Sequence, residues 1–190
     1  DWIQTCALPI SLGIANGYTG VIQDSASSAT LSAVLTMRER ATGFTGNAQG
    51  LSEQGKIRIY CSDQVHSSID RACWIAGIGQ ANLVKISTQG PLHGLDGDVL
   101  RKAINHDREN GLHPAGIIAV TGGTSIGASD DLEVIAAIAK DENLYTHVDA
   151  AWAGAAMICP ELRGGLWEGV SEFDSIVFNP HKWLGAQFDC

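Results

Sequence analysis

The sequence predicts an α/β domain built on a mostly parallel sheet flanked by helices. Strand-like and helix-like stretches alternate along the chain, as they do where a parallel sheet is wound through crossover helices. One strand-like run, Ala115–Thr121, is almost wholly apolar, the composition of a strand buried on both faces. Two residues able to do chemistry, Asp149 and Lys182, fall just past apolar runs, on the sheet edge where such folds bind ligands.

Taken in order, Ser25–Arg40 has helical spacing, with Leu31, Val34 and Leu35 as its apolar stripe. Thr42–Gly55, rich in Gly, Gln, Asn and Ser, reads as a linker. Lys56–Cys61 alternates, with Ile57 and Ile59 on one face, as a half-buried strand does. Val65–Ala76 reads as a helix and Asn82–Ile86 as a short strand. Asp96–Asn110 is helical and stops at Gly111. Beyond Ala115–Thr121, Asp130 or Asp131 can cap a helix running to about Glu142. Leu144–Asp149 and Ser175–Asn179 are the last strands. No internal repeat interrupts the pattern.

Composition narrows the function classes. The 21 acidic residues outnumber 12 basic ones, giving a net charge of -9, and Lys and Arg form no run or aromatic-basic stripe. A nucleic-acid partner is therefore not expected. No apolar run has the length of a membrane span, and Asp1-Trp2-Ile3-Gln4 has neither the basic start nor the apolar stretch of a signal peptide. Cys6, Cys61, Cys73, Cys159 and Cys190 are an odd set without CxxC spacing, which points away from a disulfide scaffold or zinc site and towards the reduced cytoplasm. His93, His106 and His113 lack metal-ligand spacing and are expected at the surface, so no metal is expected. The chain opens without Met and stops at Phe188-Asp189-Cys190 with no closing helix or polar tail, so a fragment of a longer polypeptide is expected.

In Thr146-His147-Val148-Asp149-Ala150-Ala151-Trp152, a carboxylate ends an apolar strand and small residues follow it, leaving room for something flat. In Ile176-Val177-Phe178-Asn179-Pro180-His181-Lys182-Trp183, a lysine follows another apolar strand on a turn set by Pro180. Taken singly, the Asp reads as a turn former or helix cap and the Lys as solvated surface. His147 alternates onto the side of Asp149 and is expected to pack. Trp2, Trp74, Trp167 and Trp183 are likewise expected to pack, whereas Trp152 could flank a ligand.

Together these stretches, with Gly20-Val21-Ile22-Gln23, Ser25-Ala26-Ser27, Ser62-Asp63-Gln64-Val65-His66-Ser67-Ser68 and Ile158-Cys159-Pro160-Glu161, resemble the group II decarboxylases that depend on pyridoxal 5'-phosphate (PLP). The resemblance runs from about Gly20 to Cys190; Gln4 to Tyr18 fits poorly. It implies the large domain of fold type I PLP enzymes, with residues 1–190 a partial PLP-binding domain lacking the family's N-terminal segment and C-terminal small domain. It implies that Lys182 holds the cofactor as a Schiff base, that Asp149 pairs with the pyridine nitrogen, and that His66 stacks on the ring. Ser25, Ala26 and Ser27, with Asn179 and His181, would form the phosphate cradle; Thr124 and Ala151 would lie near the cofactor. Taken alone, His66 reads as a polar residue at a helix start, Ser25 or Ser27 as an N-cap, and Thr124 as part of a glycine turn. Asp24 and Ser28 stand where animal aromatic decarboxylases carry Gly and Glu, and Gly123 where they carry Thr, which leaves the details of phosphate binding open.

The implied activity is decarboxylation of an L-amino acid to the amine and CO2. Ile158-Cys159-Pro160-Glu161-Leu162-Arg163 and Lys182-Trp183-Leu184 look like the aromatic branch. An aromatic aldehyde synthase, an aminotransferase, a sulfur lyase and a catalytically inactive fragment stay open as alternatives. The family also implies a homodimer with the active site at the interface.

Overall fold

The computed structural model describes residues 8–14 and 17–187. The first long helix, α1 (Ala26–Ala41), starts where Ser25, in extended conformation, accepts the Ser28 N–H on its hydroxyl. It is followed by a four-residue helix, α2 (Gly46–Gln49), inside the stretch expected to be an irregular linker. The buried Glu39 explains this helix: its carboxylate accepts the Asn47 N–H at 3.1 Å and pairs with Arg38. Then come β1 (Ile57–Ser62), α3 (Ser68–Ile75), β2 (Leu83–Ile86) and a two-strand antiparallel hairpin, β3 (Thr88–Gln89) with β4 (Gly94–Leu95), which carries too few residues to show a period in the sequence. The chain continues with α4 (Gly97–Glu109), β5 (His113–Val120), α5 (Leu132–Glu142) and β6 (Tyr145–Asp149). Four short 3-10 turns between 154 and 172 lead to β7 (Ser175–Val177) and a final helical turn, α6 (Pro180–Trp183).

The five main strands are all parallel, in the order β2-β1-β5-β6-β7. Helices cover both faces. On one, α1 and α3 pack over Ile57, Ile59, Cys61, Ala115 and Ile118; on the other, α4 and α5 bury Leu100, Ile104, Ile135 and Ile138 against Tyr60, Ile117 and Val148. Each large aliphatic side chain so buried contributes about 1.5–3 kcal/mol. The α1 face approaches the sheet closely: a Cβ on Gly116 would lie 2.7 Å from Met37 Sδ and 2.8 Å from the Tyr145 carbonyl oxygen. Asp96 and Asp131 cap α4 and α5 with their carboxylates, so the cap of α5 is Asp131 rather than Asp130.

Two expectations need correcting. β1 is not half-buried; five of its six residues are buried, because it lies between β2 and β5. Its polar side is accommodated by Asp107 on α4, whose Oδ2 accepts from Tyr60 OH at 2.7 Å and from Arg58 Nε at 3.0 Å. The tryptophans divide: Trp167 is buried in the core, but Trp74 and Trp183 are exposed. Trp2, Cys6 and Cys190 lie outside the described residues. Cys61 and Cys73 are buried free thiols, Cys159 an exposed one. His93, His106 and His113 are exposed, as expected. Among the described residues no helix is long and apolar enough to cross a membrane.

Candidate active site

The carboxyl ends of β5, β6 and β7 are in register. Asp149 pairs with Val120 on one side and Val177 on the other, so its side chain emerges at the middle of the edge. It is 7% exposed. Ala151 N–H donates to Asp149 Oδ1 at 3.1 Å and fixes the carboxylate's orientation. Burial raises the Asp149 carboxyl above its ordinary value, while the Ala151 N–H and the charges of His66 and Lys182 oppose the rise. His66 and Lys182 come to this carboxylate from 83 and 33 residues away in the sequence.

Lys182 reaches this edge through backbone links. Past β7, Asn179 N–H donates to the Ala151 carbonyl at 3.1 Å, and Lys182 N–H donates to the Asn179 carbonyl at 3.2 Å. Asn179 is buried, His181 half-buried and the Lys182 side chain exposed. Pro180 opens α6 at the first helical position, where no N–H is needed.

His66 lies in the turn before α3, since that helix begins at Ser68 rather than Val65. Its Nδ1 accepts the Ser68 N–H at 3.2 Å and lies 2.9 Å from Ser68 Oγ, which sets the ring's orientation. The simple reading of His66 as a satisfied polar residue at a helix start thus holds alongside its electrostatic effect on Asp149.

Ser25 and Asn179 line one cavity of about 300 Å³ between α1, the segment 19–23 and the β6–β7 side of the sheet. The first helical backbone bond of α1 runs from Ala29 N–H to the Ser25 carbonyl, so the N–H groups of Ala26 and Ser27 precede the ladder at the positive end of a 16-residue helix. Capping by Ser25 occupies only the Ser28 N–H. Thr124 lies in an exposed turn four residues beyond Val120, and Gly122 at φ +72° begins that turn. The structure gathers Asp149, Ala151, Asn179 and Lys182 through backbone bonds and holds His66 in the turn before α3. It leaves Thr124 and His181 on adjoining segments.

His147 packs on the α1 face, as expected. Its Nδ1 lies 2.8 Å from Ser175 Oγ, and burial lowers its pKa to about 4, so the ring is neutral. Sequence reasoning missed Gly122: a Cβ there would meet Ala153 at 2.5 Å and the Trp152 ring at 3.1 Å, so the loop carrying Thr124 must be glycine where it meets the loop after Asp149. Only the Gly122-Gly123 pair hinted at this.

The residues present suit PLP. A buried carboxylate with a raised pKa favours a cationic partner such as a protonated pyridine, a primary amine stands nearby, and a long helix offers hydroxyls and free N–H groups to a phosphate.

Comparison with known proteins agrees. Residues 4–190 match the family model described as the pyridoxal-dependent decarboxylase conserved domain. The aromatic-L-amino-acid decarboxylase of Sus scrofa is 40% identical over the full chain, which spans 40% of that protein. Among solved structures, Oryza sativa TDC with PLP superposes with a TM-score of 0.88 at 33% identity, over 99% of this chain and 42% of that one. The 4-hydroxyphenylacetaldehyde synthase of Rhodiola rosea gives 0.87 at 31% identity, over 99% and 41%. Because the match covers nearly all of its residues and its fold is shared, the chain belongs to the pyridoxal-dependent decarboxylase family.

Proposed function

We propose that this chain forms the cofactor-binding part of an enzyme that decarboxylates an L-amino acid, an aromatic one, to the amine and CO2. The observation that carries the proposal is the buried carboxylate of Asp149 at the carboxyl edge of the sheet, with the turn carrying Lys182 bonded to the same loop through the Asn179 N–H and the Ala151 carbonyl. When bound, PLP supplies the electron sink for the pair released as the carboxylate leaves. The protein's part is to hold and orient. Asp149 would hold a proton on the pyridine nitrogen through a charge-assisted hydrogen bond. Lys182 would hold the cofactor through its amine. His66 would cover one ring face, and Ser25, Ala26 and Ser27 at the start of α1 would receive the phosphate with Asn179 and His181, while Thr124 and Ala151 would lie near the cofactor.

The aromatic preference is supported by the run 158–163, by Lys182-Trp183-Leu184 and by the Sus scrofa relative. The similarity to the Rhodiola rosea synthase favours a second reading, in which the same site yields an aldehyde. Incubating the complete protein and PLP with aromatic L-amino acids separates them: amine with CO2 supports the proposal, an aldehyde supports the second reading, and a keto acid overturns both. We also place the enzyme in the reducing cytoplasm, in keeping with its free thiols, and as a homodimer, which sedimentation of the complete protein tests.

A further inference from the structure

Asp149 and Lys182 stand on separate segments, so their spacing depends on what joins the two. α6 is four residues long, far below the length at which a helix is stable by itself. Its backbone anchors are the Asn179 N–H to Ala151, the Lys182 N–H to Asn179 and the Leu184 N–H to Pro180. One side-chain contact also crosses to the Asp149 segment. Trp152, three residues past Asp149, meets Trp183, next to Lys182, edge to face, with ring centroids 5.0 Å apart and planes at 79°. That is the favourable orientation of two aromatic quadrupoles. The rings are 48% and 45% exposed, so neither is simply held as core. Trp152 is itself seated from below, its Cε3 lying 3.1 Å from where a Cβ on Gly122 would stand. The contact chain therefore runs from the end of β5 through Trp152 to Trp183 and Lys182.

We infer that Trp152 and Trp183 form an aromatic clamp that fixes the Lys182 amine relative to the Asp149 carboxylate and so sets how firmly PLP is retained. The inference rests on the functional reading above. Both tryptophans are positioning residues: they act through Lys182 and Asp149.

The test uses the complete PLP-loaded protein and the variants Trp152→Leu, Trp183→Leu, their combination, and Trp183→Phe. Two readouts are followed: the rate at which PLP is lost on dilution, and the pH midpoint of the bound cofactor's visible absorbance. Each Leu variant loses PLP faster, by about twofold to tenfold, and shifts the midpoint, because one aromatic pair is worth that much. The double variant is no worse than the single ones, since the contact is already lost. Trp183→Phe, which keeps a ring, restores retention. If Trp183→Leu does not fold, Trp152→Leu against Trp152→Phe gives the same comparison from the other ring. Leu variants with unchanged retention and midpoint, or single effects that multiply in the double variant, overturn the clamp. A parent protein that takes no borohydride-reduced PLP label at Lys182 overturns the functional reading instead.

Discussion

Replacing Asp149 with Asn separates the account's two claims about this residue, because they predict effects of opposite sign. The Asn side-chain oxygen can still accept the Ala151 N–H, so the loop keeps its geometry. What disappears is a carboxylate that is 7% exposed and whose pKa burial has raised. In the cofactor-free protein this removes a buried ionisable group. The folded carboxyl holds its proton to higher pH than the unfolded one, so its contribution to stability falls as pH rises through the folded pKa. Asp149→Asn abolishes that fall, and the cofactor-free variant is at least as stable as the parent at pH 7. With PLP the sign reverses, because a charge-assisted hydrogen bond to the pyridine nitrogen is lost. Such bonds contribute about 1.5–3 kcal/mol, equivalent to roughly tenfold to 150-fold in affinity. The assay is a PLP titration followed by absorbance, beside thermal unfolding of the cofactor-free proteins. PLP affinity within twofold of the parent's would refute the role of Asp149; a destabilised cofactor-free variant would refute the description of its burial.

Further predictions concern the scaffold of the complete protein. Gly122→Ala places a Cβ 2.5 Å from Ala153 at a φ of +72° and lowers stability by about 1–3 kcal/mol in chemical denaturation; an unchanged midpoint contradicts the close packing of the two loops. Asp107→Ala strips Arg58 and Tyr60 of their shared acceptor and costs about 3–5 kcal/mol, whereas Tyr60→Phe costs about 1.5–3. Asp130, whose oxygens accept from Leu95 N–H and Val120 N–H, is raised by burial from 3.8 to about 6. Its contribution to stability therefore falls as pH rises across that window, by roughly 3 kcal/mol at 1.36 kcal/mol per unit, and Asp130→Asn flattens that segment of the stability profile.

The strands most legible in the sequence were those whose burial depends on their own residues. Ala115–Thr121 announced a two-faced strand because seven consecutive small or apolar side chains leave no solvent side, and β5 lies there. β1 was misread because Arg58 and Tyr60 look like a polar face; Tyr60 is buried and Arg58 partly so because Asp107, 47 residues beyond Tyr60, comes to meet them. That compensation is non-local, and no period within the strand encodes it. The exposure of Trp74 escaped for a related reason, since α3 lies on the sheet through Ile69, Ala72 and Cys73 and leaves Trp74 on its outer side.

At the site, Asp149 and Lys182 could be placed at strand ends, but their approach depends on the β6–β7 register and on the Asn179 to Ala151 bond, neither of which a single segment contains. The paired motifs pointed to it only through family resemblance. His66 was found by the same route; within its own segment it is marked only by its contacts to Ser68.

The central claim is that Lys182 anchors PLP beside Asp149. It is tested most directly by mixing the complete protein with PLP, reducing with borohydride, digesting, and locating the phosphopyridoxyl group by mass spectrometry. A label on Lys182, absent in Lys182→Ala, is the expected result. A folded protein labelled at another lysine, or not labelled, would contradict it.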